Sequence, residues 1–451
     1  MILPPKKWDI AENSKELIKM AHAFLSGREI INIYRKKDPR KKVVALNFPI
    51  SELIYATGAI PLNLLRYEKF RYNGTDKVLE GITRITKLFG WKSLDAIIKL
   101  AFFTRAGGEI VEFLVDNMVL SINERYETLT KLGEMSGFPA DTCFGSRMLY
   151  GLAVNSGKYV DASFGFGYRC PFTYKFFESF KSHMKNNYIV DIPNTTGKHA
   201  ESALESDLME FIQFLEGLTG NRFSETKLAE TVDMSNELKH LYKEFLFVTC
   251  KNEILPYNPL TFSQLQALLM FSFIDFNSNI KAYRKNIKNL IAEMETKIER
   301  GKGHDVSNKL KILYTPVTTG LEYDNLRLIS ELGGVPLFAD WEIFGFLEPI
   351  SSSNNVLKNF VRYLLNYNNF MGSGNDRLAE SMVRVAKDMG CDGALYQDVF
   401  ACRNIGPTMK YFKDRARNEG MPVLETTLNN IGENLEQTRT RIEAFMEMLH
   451  E

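Results

Sequence analysis

Three of the five cysteines stand where a thiol could take part in chemistry. Cys143, Cys170 and Cys402 each precede a segment with helical spacing, and Cys170 and Cys402 also follow a predicted strand. Backbone N–H groups at the start of a helix favour the thiolate, which is the form of cysteine that binds metal or attacks as a nucleophile. The sequence therefore offers three candidate thiolates.

The other two cysteines have different settings. Cys250 ends an apolar helical stretch, where a free cysteine usually packs as a small hydrophobic residue. Cys391 and Cys402 lie at opposite ends of one predicted strand, about 25 Å apart at roughly 3.3 Å per residue, so we do not expect them to share a metal. The odd number of cysteines also argues against a secreted disulfide framework.

Several site types are disfavoured by the spacing of the candidate ligands. Widely separated cysteines with no close histidine do not form the usual four-ligand zinc site. The sequence contains neither HExxH nor the GxxxxGK[ST] loop that binds ATP phosphates. Three thiolates that converge between two domains would suit an iron–sulfur cluster with one iron open to substrate, whereas three unrelated buried cysteines fit the spacing equally well.

Two stretches around these cysteines follow one pattern. Residues 158–193 and 391–428 both read as strand, cysteine, helix and strand, with Asp161 nine residues before Cys170 and Asp392 ten before Cys402. The pattern predicts two related halves, although two generic strand-helix-strand units would have similar lengths. In open parallel sheets, ligands bind beyond the carboxyl ends of the strands, where both cysteines would lie.

Composition predicts an ordinary globular protein. The chain has 451 residues, enough for two or three domains, and a formal net charge of +1 gives no sign of nucleic acid or anionic membrane as a partner. Since we find no signal peptide and no long apolar run, we expect a cytoplasmic location and no membrane association.

Strands that alternate with helices predict an α/β fold with two parallel-sheet domains covered on both faces. The expected organisation is a helical N-terminal arm at 1–40, a first α/β domain with a helical insertion at 41–250, a helical connector at 251–305 and a second α/β domain at 306–451.

Five segments in fixed order carry a family resemblance. They are FPISELIYATGAIPLNLL, DTCFGSRMLYG, RCPFTYKFFESF with the following NNYIVDIP, CDGALYQDVFAC with the following GMPVLETTL, and QTRTRIEAFMEML. Together they resemble the 2-hydroxyacyl-CoA dehydratase and benzoyl-CoA reductase family of anaerobic bacteria. Each motif is weak alone, and the resemblance depends on their order across residues 43–451.

The resemblance implies two flavodoxin-like (Rossmann-like) domains and a [4Fe-4S] cluster bound by three cysteines. Carried over by motif, these ligands are Cys143, Cys170 and Cys402, and Arg147 matches a basic position of the first motif. The family also implies an acyl-CoA substrate, a second homologous subunit in a heterodimer or larger complex, and a separate iron–sulfur ATPase that injects one electron on ATP hydrolysis.

In dehydratases of this family, the electron makes a ketyl radical anion of the thioester, the 2-hydroxyl leaves, and the electron is recycled. The expected function is therefore the cluster subunit of a 2-hydroxyacyl-CoA dehydratase that forms a 2-enoyl-CoA. The alternatives are a subunit of a benzoyl-CoA reductase, which keeps the electrons in the ring, and a non-catalytic scaffold or electron-relay subunit. Arg169 and Pro171 beside Cys170, and the long helical insertion at 77–114, depart from the family pattern.

Overall fold

The computed structural model describes residues 15–46, 50–67, 75–102, 125–167, 172–315, 322–339, 347–372, 375–402 and 405–451. Within these residues the chain forms two four-stranded parallel sheets and a short two-stranded pairing. Counted within its own half, each large sheet has the strand order 2-1-3-4, which is the beginning of the flavodoxin-like order. The predicted α/β class with two flavodoxin-like sheets is confirmed.

The first half contains a helical arm, the first sheet and the helices around it. In chain order its elements are α1 (Lys15–Leu25), α2 (Gly27–Lys37), β1 (Val43–Leu46), α3 (Ser51–Ala56), β2 (Ile60–Asn63), α4 (Thr75–Phe89), α5 (Trp91–Phe102), α6 (125–135), α7 (Phe144–Ser156), β3 (Ala162–Gly167), α8 (Phe172–Ser179), β4 (Asn187–Asp191), α9 (Lys198–Thr219) and α10 (Glu225–Lys251). Every residue of β1, β2 and β3 is buried, as expected for parallel strands covered on both faces.

Within the connector at 251–305, the apolar pattern predicts one long helical region over 262–300, and the structure differs from that prediction. The elements of the connector are β5 (Ile254–Leu255), α11 (Pro259–Ser272), α12 (Ile280–Glu299) and β6 (His304–Asp305), with β5 and β6 antiparallel. Phe276, Asn277 and Ser278 all have positive φ values, of 46°, 52° and 61°, and separate α11 from α12. The helical prediction is therefore wrong at this point.

The physical cause of the break is a buried polar contact. Asp275 forms an ion pair with Arg66, and both side chains are fully buried. The same carboxylate accepts hydrogen bonds from the backbone N–H groups of Asn63, at 2.8 Å, and Asn277, at 3.0 Å. The Asp275 carboxylate thus accepts hydrogen bonds both from the end of β2 and from its own turn. Because these bonds fix the backbone of the turn, the chain does not continue as a helix here.

The second half contains the second sheet and its helices. In chain order its elements are β7 (Lys311–Thr315), α13 (Tyr323–Glu331), β8 (Val335–Phe338), α14 (Val356–Gly372), α15 (Asn375–Asp388), β9 (Gly393–Val399), α16 (Gly406–Asn418), β10 (Val423–Leu428) and α17 (Leu435–His450). The sequence predicts four strands in this half and helices that begin at 404 and 434. All four strands are present, and α16 and α17 begin two residues and one residue after those positions. No helix in the described part of the chain is long and apolar enough to span a bilayer.

One carboxylate contact fixes the third strand beside the first in both halves. Asp161 directly precedes β3, and its Oδ2 accepts a hydrogen bond of 2.8 Å from the backbone N–H of Val43 in β1. Asp392 directly precedes β9, and its Oδ2 accepts one of 2.7 Å from the backbone N–H of Lys311 in β7. The two equivalent contacts and the shared strand order support the predicted internal repeat.

Helices α6 and α7 cross without side chains between them. A Cβ atom at Gly133 in α6 would overlap the backbone oxygen of Arg147 in α7, and one at Gly151 in α7 would overlap the backbone oxygen of Leu129 in α6. Both glycines are therefore required by the close approach of two backbones, which holds α7 rigidly.

We expect Gly151→Ala to destabilise the protein by about 1–3 kcal/mol or more, because the added methyl overlaps backbone that cannot move cheaply. Gly217→Ala in α9 is the matched control, since no heavy atom lies within 4 Å of a Cβ there. Alanine is the better helix former, so the control should gain about 0.5–1 kcal/mol. Denaturation midpoints measure both changes, and equal midpoints for the two variants would contradict the close crossing.

Candidate functional site

The strand order places the expected site in each sheet at the carboxyl ends of the strands. In a 2-1-3-4 sheet the order of strands reverses between the first and third strands, and ligands bind in the crevice beyond their carboxyl ends. Cys402 comes three residues after the end of β9, the third strand of its sheet, and Cys170 comes three residues after the end of β3. Cys170 lies outside the described residues.

The backbone around Cys402 is fixed on both sides. The backbone N–H of Cys402 donates to the oxygen of Val399 at 2.9 Å, and Ala401 between them has a φ of 61°. The buried hydroxyl of Tyr396 in β9 donates to the backbone oxygen of Ile405 at 2.7 Å, which anchors the start of α16. Cys402 is half-buried and forms no disulfide, so its thiol stands at a defined strand-to-helix crossing.

Cys143 occupies the N-cap position of α7. Its φ and ψ of −60° and 145° are extended, and its backbone oxygen accepts the first hydrogen bonds of the helix, from Ser146 and Arg147. Its Sγ lies 3.1 Å from the hydroxyl oxygen of Ser146. The thiol is half-buried and free, and the crossing of α6 and α7 holds its helix in place.

Arg147 connects the helix of Cys143 to the second sheet. The guanidinium is almost completely buried and forms an ion pair with Glu134 of α6. Its Nη2 donates to the backbone oxygen of Asn429 at 3.1 Å, and Asn429 directly follows β10. Because β10 pairs with β9, this contact places the start of α7 beside the carboxyl ends of these two strands. Cys402 follows β9 at that end.

The structure describes two of the three predicted ligands, Cys143 and Cys402. Two thiols do not by themselves form a complete metal site. Among the described residues, which exclude Cys170, no three Cys, His, Asp or Glu side chains come together as metal ligands. Cys143 and Cys402 nevertheless suit a cluster chemically, because each is a half-buried thiol outside any disulfide and precedes a helix. A third thiolate from Cys170 would complete that set.

Glu322 is a residue at this edge that the sequence does not single out. It occupies the N-cap position of α13, the helix that follows β7, and burial raises its pKa to about 7. Its Oε2 accepts a hydrogen bond of 2.7 Å from the backbone N–H of Gly432, and its Oε1 has no partner among the described residues. The loop after β10 is therefore held by Arg147 from one half and by Glu322 from the other.

A cluster of buried polar side chains lies beyond the carboxyl end of β1, the first strand of the other sheet. Glu52, in the first turn of α3, accepts a hydrogen bond from the hydroxyl of Ser235 in α10. Burial lowers the pKa of the nearby Lys239 to about 8. The Lys239 ammonium donates to the backbone oxygen of Glu348 at 3.1 Å and lies 4.2 Å from the ring centre of Tyr363. Sequence reasoning missed this group because its members are far apart in the chain.

We expect the free energy of unfolding to fall as pH rises, because the buried Glu322 carboxyl resists the loss of its proton in the folded protein. Its pKa is raised on folding, so the folded protein binds more protons than the unfolded chain between about pH 4.5 and 7, and the free energy of unfolding falls across that window. Glu322→Gln keeps an acceptor for Gly432 and should abolish this fall, with a gain of about 1–3 kcal/mol at pH 8.

Thermal or urea unfolding from pH 4.5 to 8 measures the change. Glu436→Gln, which removes an exposed carboxylate in the first turn of α17, is the control and should keep the wild-type pH dependence. Parallel pH profiles for wild type and Glu322→Gln would show that Glu322 titrates like an exposed acid.

Comparison with known proteins agrees with this architecture. A family model described as 2-hydroxyglutaryl-CoA dehydratase, D-component, matches residues 47–449. No curated protein matches the chain. Because the family model covers most of the sequence, the chain belongs to the 2-hydroxyglutaryl-CoA dehydratase D-component family.

Proposed function

We propose that this chain is the cluster-bearing subunit of an ATP-activated, radical 2-hydroxyacyl-CoA dehydratase. The reaction would remove water from a 2-hydroxyacyl-CoA and form a 2-enoyl-CoA. Membership of the family supports the role of a dehydratase component and an acyl-CoA substrate. The observation that carries the proposal is the contact of Arg147 with Asn429, which sets the helix of Cys143 against the sheet edge of Cys402.

Cys143, Cys170 and Cys402 would hold the [4Fe-4S] cluster, which when bound supplies one-electron chemistry and, with three protein ligands, an iron open to the substrate oxygen. The surrounding chain has two tasks. The α6–α7 crossing and Arg147 keep the thiol of Cys143 at a fixed position. The buried strands beneath the crevice keep water away from reactive species.

The proposed assembly includes a second homologous subunit and a separate iron–sulfur ATPase that delivers the electron. We place the complex in the cytoplasm, because Cys143, Cys391 and Cys402 form no disulfide and a reducing compartment keeps thiols available as ligands.

We expect anaerobically purified protein to be brown and to contain about four irons per chain, as a [4Fe-4S] cluster requires. Cys402→Ser should lose most of the iron and its absorbance, since one thiolate ligand is gone. Cys391→Ser is the matched control, because Cys391 is also half-buried and outside any disulfide but lies at the opposite end of β9. A colourless wild type whose three candidate thiols are alkylated without denaturant would contradict the proposal.

The electron stoichiometry tests the reaction class. With the partner subunit, the activating ATPase, ATP and a reductant, a dehydratase should form many enoyl-CoA molecules for each electron supplied, because the electron is recycled. The measurement is product formed against reductant consumed. Consumption of electrons in proportion to product would assign the chain to a reductase instead.

A further inference from the structure

A buried carboxyl lies where the strand order of the second sheet reverses. From β7 the chain crosses to β8 on one side, and from β9 it crosses to β10 on the other. Ligands of such sheets bind in the crevice between the two strands, beyond their carboxyl ends. Glu322, at the N-cap of α13, follows β7, and Cys402 follows β9. The two residues therefore belong to the two connections that border this crevice.

The Glu322 carboxyl also contacts the loop after β10, residues 429–432. Its Oε2 accepts a hydrogen bond of 2.7 Å from the backbone N–H of Gly432. Since β7 and β10 pair with β9 on opposite sides, this bond joins the connections after the two strands that flank β9. From the first half, Arg147 binds the backbone oxygen of Asn429 in the same loop, and its charge is paired with Glu134. Segments of both halves thus surround the carboxyl.

One oxygen of this carboxyl is left without a partner. Glu322 is 2% exposed, and its Oε1 forms no hydrogen bond with any described residue. Gly432, which binds the other oxygen, is exposed, so the carboxyl lies next to a surface residue. A buried oxygen without a hydrogen bond costs free energy, and a role in catalysis is a recognised reason for such a group.

The surroundings of Glu322 favour the protonated form. Burial raises its pKa to about 7, and the charge of Asp324 acts in the same direction, while the N–H of Gly432 partly offsets both effects. Tyr314 of β7 stays neutral, because burial raises its pKa as well. Glu433 of the loop is exposed and bonded to two asparagine side chains. Glu322 forms no ion pair with any described residue, so no bound cation holds it as a carboxylate.

The proposed dehydration moves one proton within the substrate. The C2–O bond breaks with both electrons on the oxygen, which takes a proton and leaves as water. The C3–H bond also breaks, its electron pair forms the C2–C3 double bond, and its proton must be accepted. One carboxyl can serve both steps, because donating the first proton leaves the carboxylate that accepts the second. In net terms the carboxyl ends as it began.

We propose that Glu322 is the proton donor and acceptor of this dehydration, an inference that rests on the proposed function. Its Oε1 gives a proton to the leaving hydroxyl and takes one from C3, while Oε2 keeps its bond to Gly432. That bond fixes the direction of the carboxyl and stabilises the carboxylate that exists between the two steps. A carboxyl that only held the loop would need Oε2 alone.

Glu322→Gln tests this role in the complete complex, with the partner subunit, the activating ATPase, ATP and a reductant. The amide keeps an acceptor for Gly432 but cannot transfer a proton, so kcat should fall by about 10²–10⁴-fold with KM nearly unchanged. Because this variant should be more stable than wild type at pH 8, unfolding cannot explain the loss. Glu322→Asp keeps a transferable proton and should retain part of kcat. Glu436→Gln removes an exposed carboxylate of α17 and should leave kcat unchanged.

The pH dependence separates proton transfer from a structural role. In wild type, kcat should fall as pH rises through about 7, because the carboxyl loses the proton that it must donate. The residual activity of Glu322→Gln should lack this fall. In infrared spectra of the isolated chain, raising the pH from 6 to 8 should remove the C=O stretch of one protonated carboxyl in wild type and not in Glu322→Gln.

Three results would overturn the inference: an unchanged kcat in Glu322→Gln, the same alkaline fall of kcat in that variant, or no loss of a carboxyl band in wild type. Wild-type turnover separates this test from the proposed function. A wild-type complex that forms enoyl-CoA together with an equally active Glu322→Gln keeps the function and loses the role of Glu322. A wild-type complex that holds iron and forms no enoyl-CoA contradicts the function itself, and the role falls with it.

Discussion

The pairing of the third strand with the first, which one aspartate fixes in each half, is the constraint on which the remaining geometry depends. Asp161 and Asp392 each bind the backbone N–H of the first strand at its beginning. A slip of one residue would turn every side chain of the third strand to the opposite face, so these contacts set the register as well as the neighbour. They thereby determine where β3 and β9 end, and hence where the chain leaves the second sheet toward Cys402.

Long-range contacts then set the helix of Cys143 against the second sheet. Cys143 belongs to a helix, not to a strand end, and this helix is held by backbone packing against α6 and by the hydrogen bond from Arg147 to Asn429. A site that joins two halves of a chain needs such fixed supports, because a shift of about 1 Å in one ligand is costly for binding and catalysis.

Local pattern was enough to predict the strands, their grouping into two halves and the positions of Cys143 and Cys402, because buried parallel strands are continuous apolar runs and helix starts have local signals. The break at 273–279 was missed, since it depends on a contact between Asp275 and Arg66, which is 209 residues away. The role of Glu322 was missed for the same reason, since its partner Gly432 is 110 residues away. The place of Cys170 stays a prediction.

The two buried arginines show what these distant contacts achieve. A buried ion pair adds little to stability, because desolvation of the charges offsets their attraction. Arg66 nevertheless ties the end of β2 to α1 and to the turn before α12, through Ala23, Phe24, Asp275 and Ser278. Arg147 ties α7 to α6 and to the end of β10. Each bonding pattern is satisfied by one arrangement of segments from different parts of the chain. These residues therefore specify the arrangement of segments at the carboxyl ends of the strands, where the proposed reaction would require a preorganised and water-poor crevice.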